Sequence, residues 1–177
     1  NAKQFSELVS SLLHSYQVSY IELDSDLQID VVCDIFTKLN SKGVRLDVFD
    51  LLNALLKPKG IQLKEMWRES RSRLEFIENN KLNIYVLQVF SILRQEYCSP
   101  KYLYYLIPGS VRKVRDSTFQ RSDRVIVEDE KDFRAGWTQA VNALEFAIKT
   151  VRSPQEYGAI GSRFVPYTGI FPILAAL

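Results

Sequence analysis

The chain has 177 residues, of which 46% are hydrophobic and 25% charged, and its net charge is +2. This length suits one domain with a hydrophobic core, and the composition excludes a wholly disordered chain or a collagen-like fibre. Two cysteines and one histidine exclude a disulfide framework, a four-thiolate zinc site and a histidine-rich metal site. The weak positive charge neither requires nor excludes a nucleic-acid partner.

Targeting signals and membrane spans are absent from the sequence. No stretch reaches the roughly 18 uninterrupted apolar residues of a membrane span, and no secretory signal pattern occurs. The cytoplasm is therefore the expected compartment, with both cysteines as free thiols. The chain opens on Asn1 without an initiator Met and closes on an apolar run from Phe171 to Leu177. These two ends predict an excised piece of a longer protein.

The first 60 residues predict helices around one strand. Apolar residues from Phe5 to Tyr16 step by three and four, which predicts an amphipathic helix, and residues 18–23 alternate as a strand does. Helical spacing resumes over residues 29–39. Asp47 is placed to cap a further helix, which residues 57–60 (Lys-Pro-Lys-Gly) would end.

The second part of the chain predicts further helices. Apolar stripes extend over residues 63–77 and 84–93, and a long helix is expected from Phe133 to Val151. Pro100 would begin a short helix, whereas residues 110–129 are predicted to be the least regular part of the chain. The predicted fold is mainly α, a multi-helix bundle with one or two short strands near the N-terminus, forming one domain over residues 1–177.

The turn Asn40-Ser41-Lys42-Gly43 has two interpretations. Backbone N–H groups ahead of a helix, with Lys42 nearby, can hold a phosphate. Alternatively, Asn40 caps one helix and Gly43 supplies a positive φ, which makes the turn purely structural. The sequence leaves both interpretations open.

Basic residues concentrate in the segment predicted to be irregular, where loop placement would suit contacts with DNA phosphates. A solvated loop with partly cancelled charge is the alternative, since Asp116, Asp123, Glu128 and Asp129 lie nearby. A second basic face carries Lys64, Arg68, Arg71 and Arg73, interleaved with glutamates. The candidate DNA contacts are Arg112, Lys113, Arg115, Arg121 and Arg124.

Aromatic residues and isolated reactive groups favour structural roles. Tyr102, Tyr104 and Tyr105 could stack on unpaired bases, but their apolar neighbours favour packing against the core. Trp67 and Trp137 lie on apolar stripes and are predicted to be core residues. His14 is predicted to lie on the surface, and Cys33 and Cys98 are predicted to be buried thiols.

The most distinctive segment is residues 35–52, Ile-Phe-Thr-Lys-Leu-Asn-Ser-Lys-Gly-Val-Arg-Leu-Asp-Val-Phe-Asp-Leu-Leu. It resembles a motif of the GmrSD-type restriction-endonuclease family, Phe-x-x-(Leu/Val/Ile)-Asn-(Ser/Thr)-x-Gly-x-x-Leu-x-x-Phe-(Asp/Glu)-Leu. The strand predicted at 18–23, the Leu63-to-Trp67 element and the Pro166-Tyr167 pair before the final apolar run agree with this resemblance.

The resemblance implies a mainly helical second half of the family's N-terminal domain. The preceding half is ParB/sulfiredoxin-like and holds an Asp-Gly-Gln-Gln-Arg motif, which this chain lacks, so no catalytic residue carries over. The parent protein would be a nucleotide-stimulated, Mg²⁺-dependent DNA endonuclease in phage defence. This chain would support the missing N-terminal half, complete its nucleotide pocket through Asn40, Lys42 and Gly43, and contact DNA, without a cofactor of its own.

A non-enzymatic module for protein interaction or dimerisation is the alternative function. Its signature would be a large exposed apolar patch.

Overall fold

The computed structural model describes residues 2–15, 22, 24, 27, 31, 32, 35, 38, 47–76, 81–115, 121–165 and 167–177. Within these residues it has seven α-helices and one two-stranded antiparallel sheet, which confirms the mainly α fold. The helices are α1 (Ala2–Ser15), α2 (Val48–Leu56), α3 (Leu63–Ser70), α4 (Leu82–Gln95), α5 (Pro100–Leu103), α6 (Glu130–Arg152) and α7 (Phe171–Ala176). The strands are β1 (Val111–Arg115) and β2 (Arg121–Val125).

Helix boundaries follow from the capping chemistry of the sequence. The Asp47 carboxylate accepts a 2.8 Å hydrogen bond from the Asp50 N–H and so begins α2, as predicted. A short 3₁₀ turn then ends at Gly60, whose φ of 80° is accessible to glycine at little cost. Asp129 begins α6 in the same way, accepting a 2.8 Å bond from the Asp132 N–H.

The core lies where α4, α6 and α7 contact one another. Phe90 of α4 meets Phe133 of α6 edge to face, with ring centroids 5.4 Å apart, and Phe171 of α7 is fully buried. Gly136 lies directly beneath the Phe90 ring, so α4 and α6 approach closely at this point. Because α4 is buried along most of its length, its C-terminal residues offer rigid attachment points for the strands that follow.

Two predictions in the segment after α4 are wrong. The described residues of the range 110–129 are not irregular: they contain β1 and β2, followed by the buried Ile126 and Val127. The strands gain order from this packing and from a 3.0 Å bond that the Gly109 N–H donates to the Val127 carbonyl. Cys98 is partly exposed rather than buried, because it lies in the turn after α4 instead of on an apolar helix face.

The described strands therefore lie in the middle of the chain, whereas the sequence placed them near the N-terminus. The strand predicted at residues 18–23 and the helix at 29–39 fall almost wholly outside the described residues. Cys33 and the His14 side chain also fall outside them. Helix α1 forms as predicted, with Phe5 and Leu8 of its apolar stripe exposed.

None of the described helices combines the length and the apolar character that a membrane span requires.

Candidate nucleic-acid interface

The two strands form a strongly basic hairpin. They pair antiparallel, with Arg112 directly opposite Arg124, Lys113 opposite Asp123, and Arg115 opposite Arg121. All five basic residues predicted to contact DNA therefore lie on this one element, and Asp123 is the single carboxylate residue in the two strands. The candidates that the sequence placed in a loop lie on a β-hairpin with a defined register.

Side chains that lie directly opposite in an antiparallel pair project from the same face of the sheet. Arg112 and Arg124 consequently share a face, and like charges in this arrangement destabilise a sheet. A bound anion would relieve this repulsion. The pairing is therefore a feature of the fold that favours a negatively charged partner.

Arg112 is engaged by the protein itself. Its guanidinium donates a 3.0 Å hydrogen bond to Oε1 of Gln95 and lies 4.8 Å and 4.6 Å from the ring centroids of Tyr97 and Tyr102. Gln95 is only 4% exposed, and its amide nitrogen donates 2.8 Å bonds to Ser91 Oγ and to the Tyr102 carbonyl. Arg112 thus connects the hairpin to the end of α4, and its guanidinium is engaged by side chains of the protein.

Lys113 and Arg124 are the described basic side chains of the hairpin that face solvent. The register places Arg115 and Arg121 at the end of the hairpin next to residues 116–120, but their side chains are outside the described part of the structure. Lys113 and Arg124 are therefore the described candidates for phosphate contact.

Aromatic rings lie beside the hairpin. Tyr97 and Tyr102 stack with centroids 4.7 Å apart and an interplanar angle of 17°, and Lys101 lies 5.0 Å from the centre of the Tyr102 ring. Tyr104 is buried, as predicted, and Tyr105 is partly buried. Sequence reasoning missed Tyr97, which is 50% exposed.

Two of the four basic residues of the second basic face, Lys64 and Arg73, form ion pairs within the protein. Lys64 contacts Asp50 at 2.7 Å, and that hydrogen bond raises the pKa of Lys64. Arg73 binds Glu145, where hydrogen bonds from Lys149 and then from Arg73 lower the pKa of the carboxyl group. These pairs connect α3 to α2 and the turn after α3 to α6, so this face is a weaker candidate for DNA contact.

The predicted nucleotide turn cannot be placed, because Asn40, Lys42 and Gly43 lie outside the described residues. Among the residues that are described, no group of three or more His, Cys, Asp or Glu side chains could hold a metal ion.

An apolar cleft of about 380 Å³ lies at the C-terminal end of the fold. Tyr157 and Tyr167 contribute to its walls and are each more than 70% exposed, and Ile160 nearby is also exposed. The cleft is lined by Val151, Tyr157, Ala159, Phe164, Val165, Tyr167, Ile170 and Leu174.

No family model, curated protein or solved structure matches this chain.

Proposed function

We propose that the chain is the helical part of a GmrSD-like DNA endonuclease and that its basic hairpin contacts nucleic acid. The resemblance of residues 35–52 supports the endonuclease assignment, and with it Mg²⁺ and a nucleoside triphosphate as cofactors of the parent protein. By the same resemblance, the chain supports a ParB/sulfiredoxin-like half and is inactive alone. Its low cysteine content and the lack of a secretory signal pattern favour the cytoplasm. The pairing of Arg112 with Arg124 on one face of the hairpin is the observation that carries nucleic-acid contact.

Phosphate neutralisation would supply the binding energy. Exposed Lys and Arg side chains that contact phosphates release condensed counterions, so the logarithm of the binding constant falls linearly with the logarithm of salt concentration. Lys113 and Arg124 are exposed and lie on neighbouring strands of the hairpin, one on each of its faces. Each of them can therefore replace one counterion without rearrangement of the core.

The test compares salt dependence in two matched double variants. Lys113→Gln/Arg124→Gln removes two charges from the hairpin, and Arg68→Gln/Arg71→Gln removes two exposed charges from α3 and the turn after it. Binding to a labelled DNA duplex is measured by fluorescence anisotropy between about 50 and 200 mM salt. The hairpin variant should lower the magnitude of the slope by about 1.8, and the control should leave it unchanged.

Two results would contradict nucleic-acid contact at the hairpin. One is a wild-type affinity that does not depend on salt. The other is a hairpin variant whose slope equals that of the α3 control.

Dimerisation is the second candidate function, and the exposed apolar cleft is the observation that favours it. Tyr157 and Tyr167 present aromatic surface to solvent next to the cleft, which is the expected signature of a protein-interaction module. A second copy of the chain is the occupant to test. Sedimentation velocity over a hundredfold concentration range should show a dimer that Tyr157→Asp/Tyr167→Asp abolishes, whereas a monomer at all concentrations would refute dimerisation.

A further inference from the structure

Tyr97 is an exposed aromatic ring that the fold holds in position. Its backbone carbonyl accepts a hydrogen bond from the buried Ser91 hydroxyl, and its ring stacks on Tyr102. The Arg112 guanidinium lies over the ring, 4.8 Å from its centre. Half of the residue remains open to solvent despite these contacts. A large aromatic ring that is held in place at the surface can stack on another planar group.

We propose that the hairpin surface takes single-stranded nucleic acid, with an unpaired base stacked on Tyr97 and phosphates bound by Arg124, which shares a face with Arg112. This inference rests on the proposed nucleic-acid contact and specifies its substrate class. Arg112 links the two parts of the surface, because it touches Tyr97 and lies opposite Arg124. An aromatic platform beside a basic track is the usual arrangement for binding single strands.

A duplex would not use this platform. Its bases are already stacked on their neighbours, so an exposed ring gains little from them, whereas every unpaired base has a free face. The nearby guanidinium of Arg112 adds a cation–π contribution to such a stack. The platform therefore predicts a preference for unpaired strands that phosphate contacts alone would not give.

The experiment separates base stacking from phosphate binding. The probes are a labelled oligothymidylate of about twelve nucleotides and an abasic oligomer of the same length, which keeps the phosphates and lacks the bases. Wild type should bind oligothymidylate between about fivefold and about 150-fold more tightly than the abasic oligomer, the range expected for one stacked base. Tyr97→Leu should remove this difference, and Tyr97→Phe, which keeps the ring, should retain it.

The comparison of the two oligomers uses the wild-type protein, so it tests base stacking even if Tyr97→Leu perturbs the fold. Equal affinity of wild type for the two oligomers would overturn base stacking, as would a Tyr97→Leu variant that keeps the full difference. Either result accompanied by an intact salt slope overturns only the stacking inference. Loss of salt-dependent binding itself would instead refute the nucleic-acid contact on which it rests.

Discussion

Replacement of Arg112 by alanine should destabilise the protein by about 3 kcal/mol. The substitution removes a charged hydrogen bond to Gln95, worth about 1.5–3 kcal/mol, and contacts with two tyrosine rings worth about 0.5–1 kcal/mol each. It also removes the repulsion between Arg112 and Arg124, which offsets up to about 1 kcal/mol of this loss of stability. The oxygen of Gln95 would lose its described partner in a site that is only 4% exposed.

Arg124→Ala is the matched control, because Arg124 lies opposite Arg112 on the same face and its side chain is exposed. It should change the free energy of unfolding by less than about 0.5 kcal/mol, or increase it slightly as the repulsion disappears.

Urea denaturation followed by circular dichroism measures both variants against wild type. The two arginines should differ clearly although they carry the same charge and share a strand pair. The reasoning is refuted if Arg112→Ala costs less than about 0.5 kcal/mol, or if Arg124→Ala costs as much as Arg112→Ala.

Two further predictions concern the packing of α6. Gly136→Ala should lower the free energy of unfolding, measured by urea denaturation, by about 1–3 kcal/mol. The reason is that the added Cβ would lie 2.1 Å from an atom of the buried Phe90 ring. A variant that is instead stabilised by the higher helix propensity of alanine would contradict this prediction. Glu145→Gln should destabilise the protein at neutral pH, because contacts with Lys149 and Arg73 lower the pKa of Glu145. The difference in unfolding free energy between variant and wild type should disappear as the pH falls through the lowered pKa of Glu145 in the folded protein. A difference that stays the same at every pH would refute this prediction.

Local chemistry made much of the helical fold predictable. Asp47 lies one residue before an apolar periodic segment and accepts the expected capping bond; Asp129, four residues before the stripe that begins at Phe133, caps α6 in the same way. The long stripe from Phe133 to Val151 likewise gave α6, because a 3.6-residue period is visible in a single segment.

The hairpin was missed because its stability is not local. β1 and β2 are short and rich in arginine, and neither shows the strict alternation of a half-buried strand. The β-branched run Val125-Ile126-Val127 was the available signal, since Ile126 and Val127 are buried. Order comes from their packing and from the contact of Arg112 with Gln95, which are 17 residues apart.

The role of each basic residue could not be predicted from the sequence, because this role also depends on contacts that are not local in the chain. Arg112 and Lys113 are neighbours in the chain, yet alternate side chains of a strand point to opposite faces. One of the two is held by Gln95 and tyrosine rings, and the other is exposed. Tyr97 acquires significance only once the fold brings it to the guanidinium of Arg112.

Lysine-reactivity footprinting tests the central claim, nucleic-acid contact at the hairpin, most directly. The acetylation rate of Lys113 is measured with and without saturating oligonucleotide, with Lys149 as the internal control. Lys149 is exposed and lies about 28 Å along α6 from the start of that helix, which follows β2 closely. Nucleic acid should slow acetylation of Lys113 severalfold and leave Lys149 unchanged, whereas equal rates for Lys113 with and without nucleic acid would contradict the account.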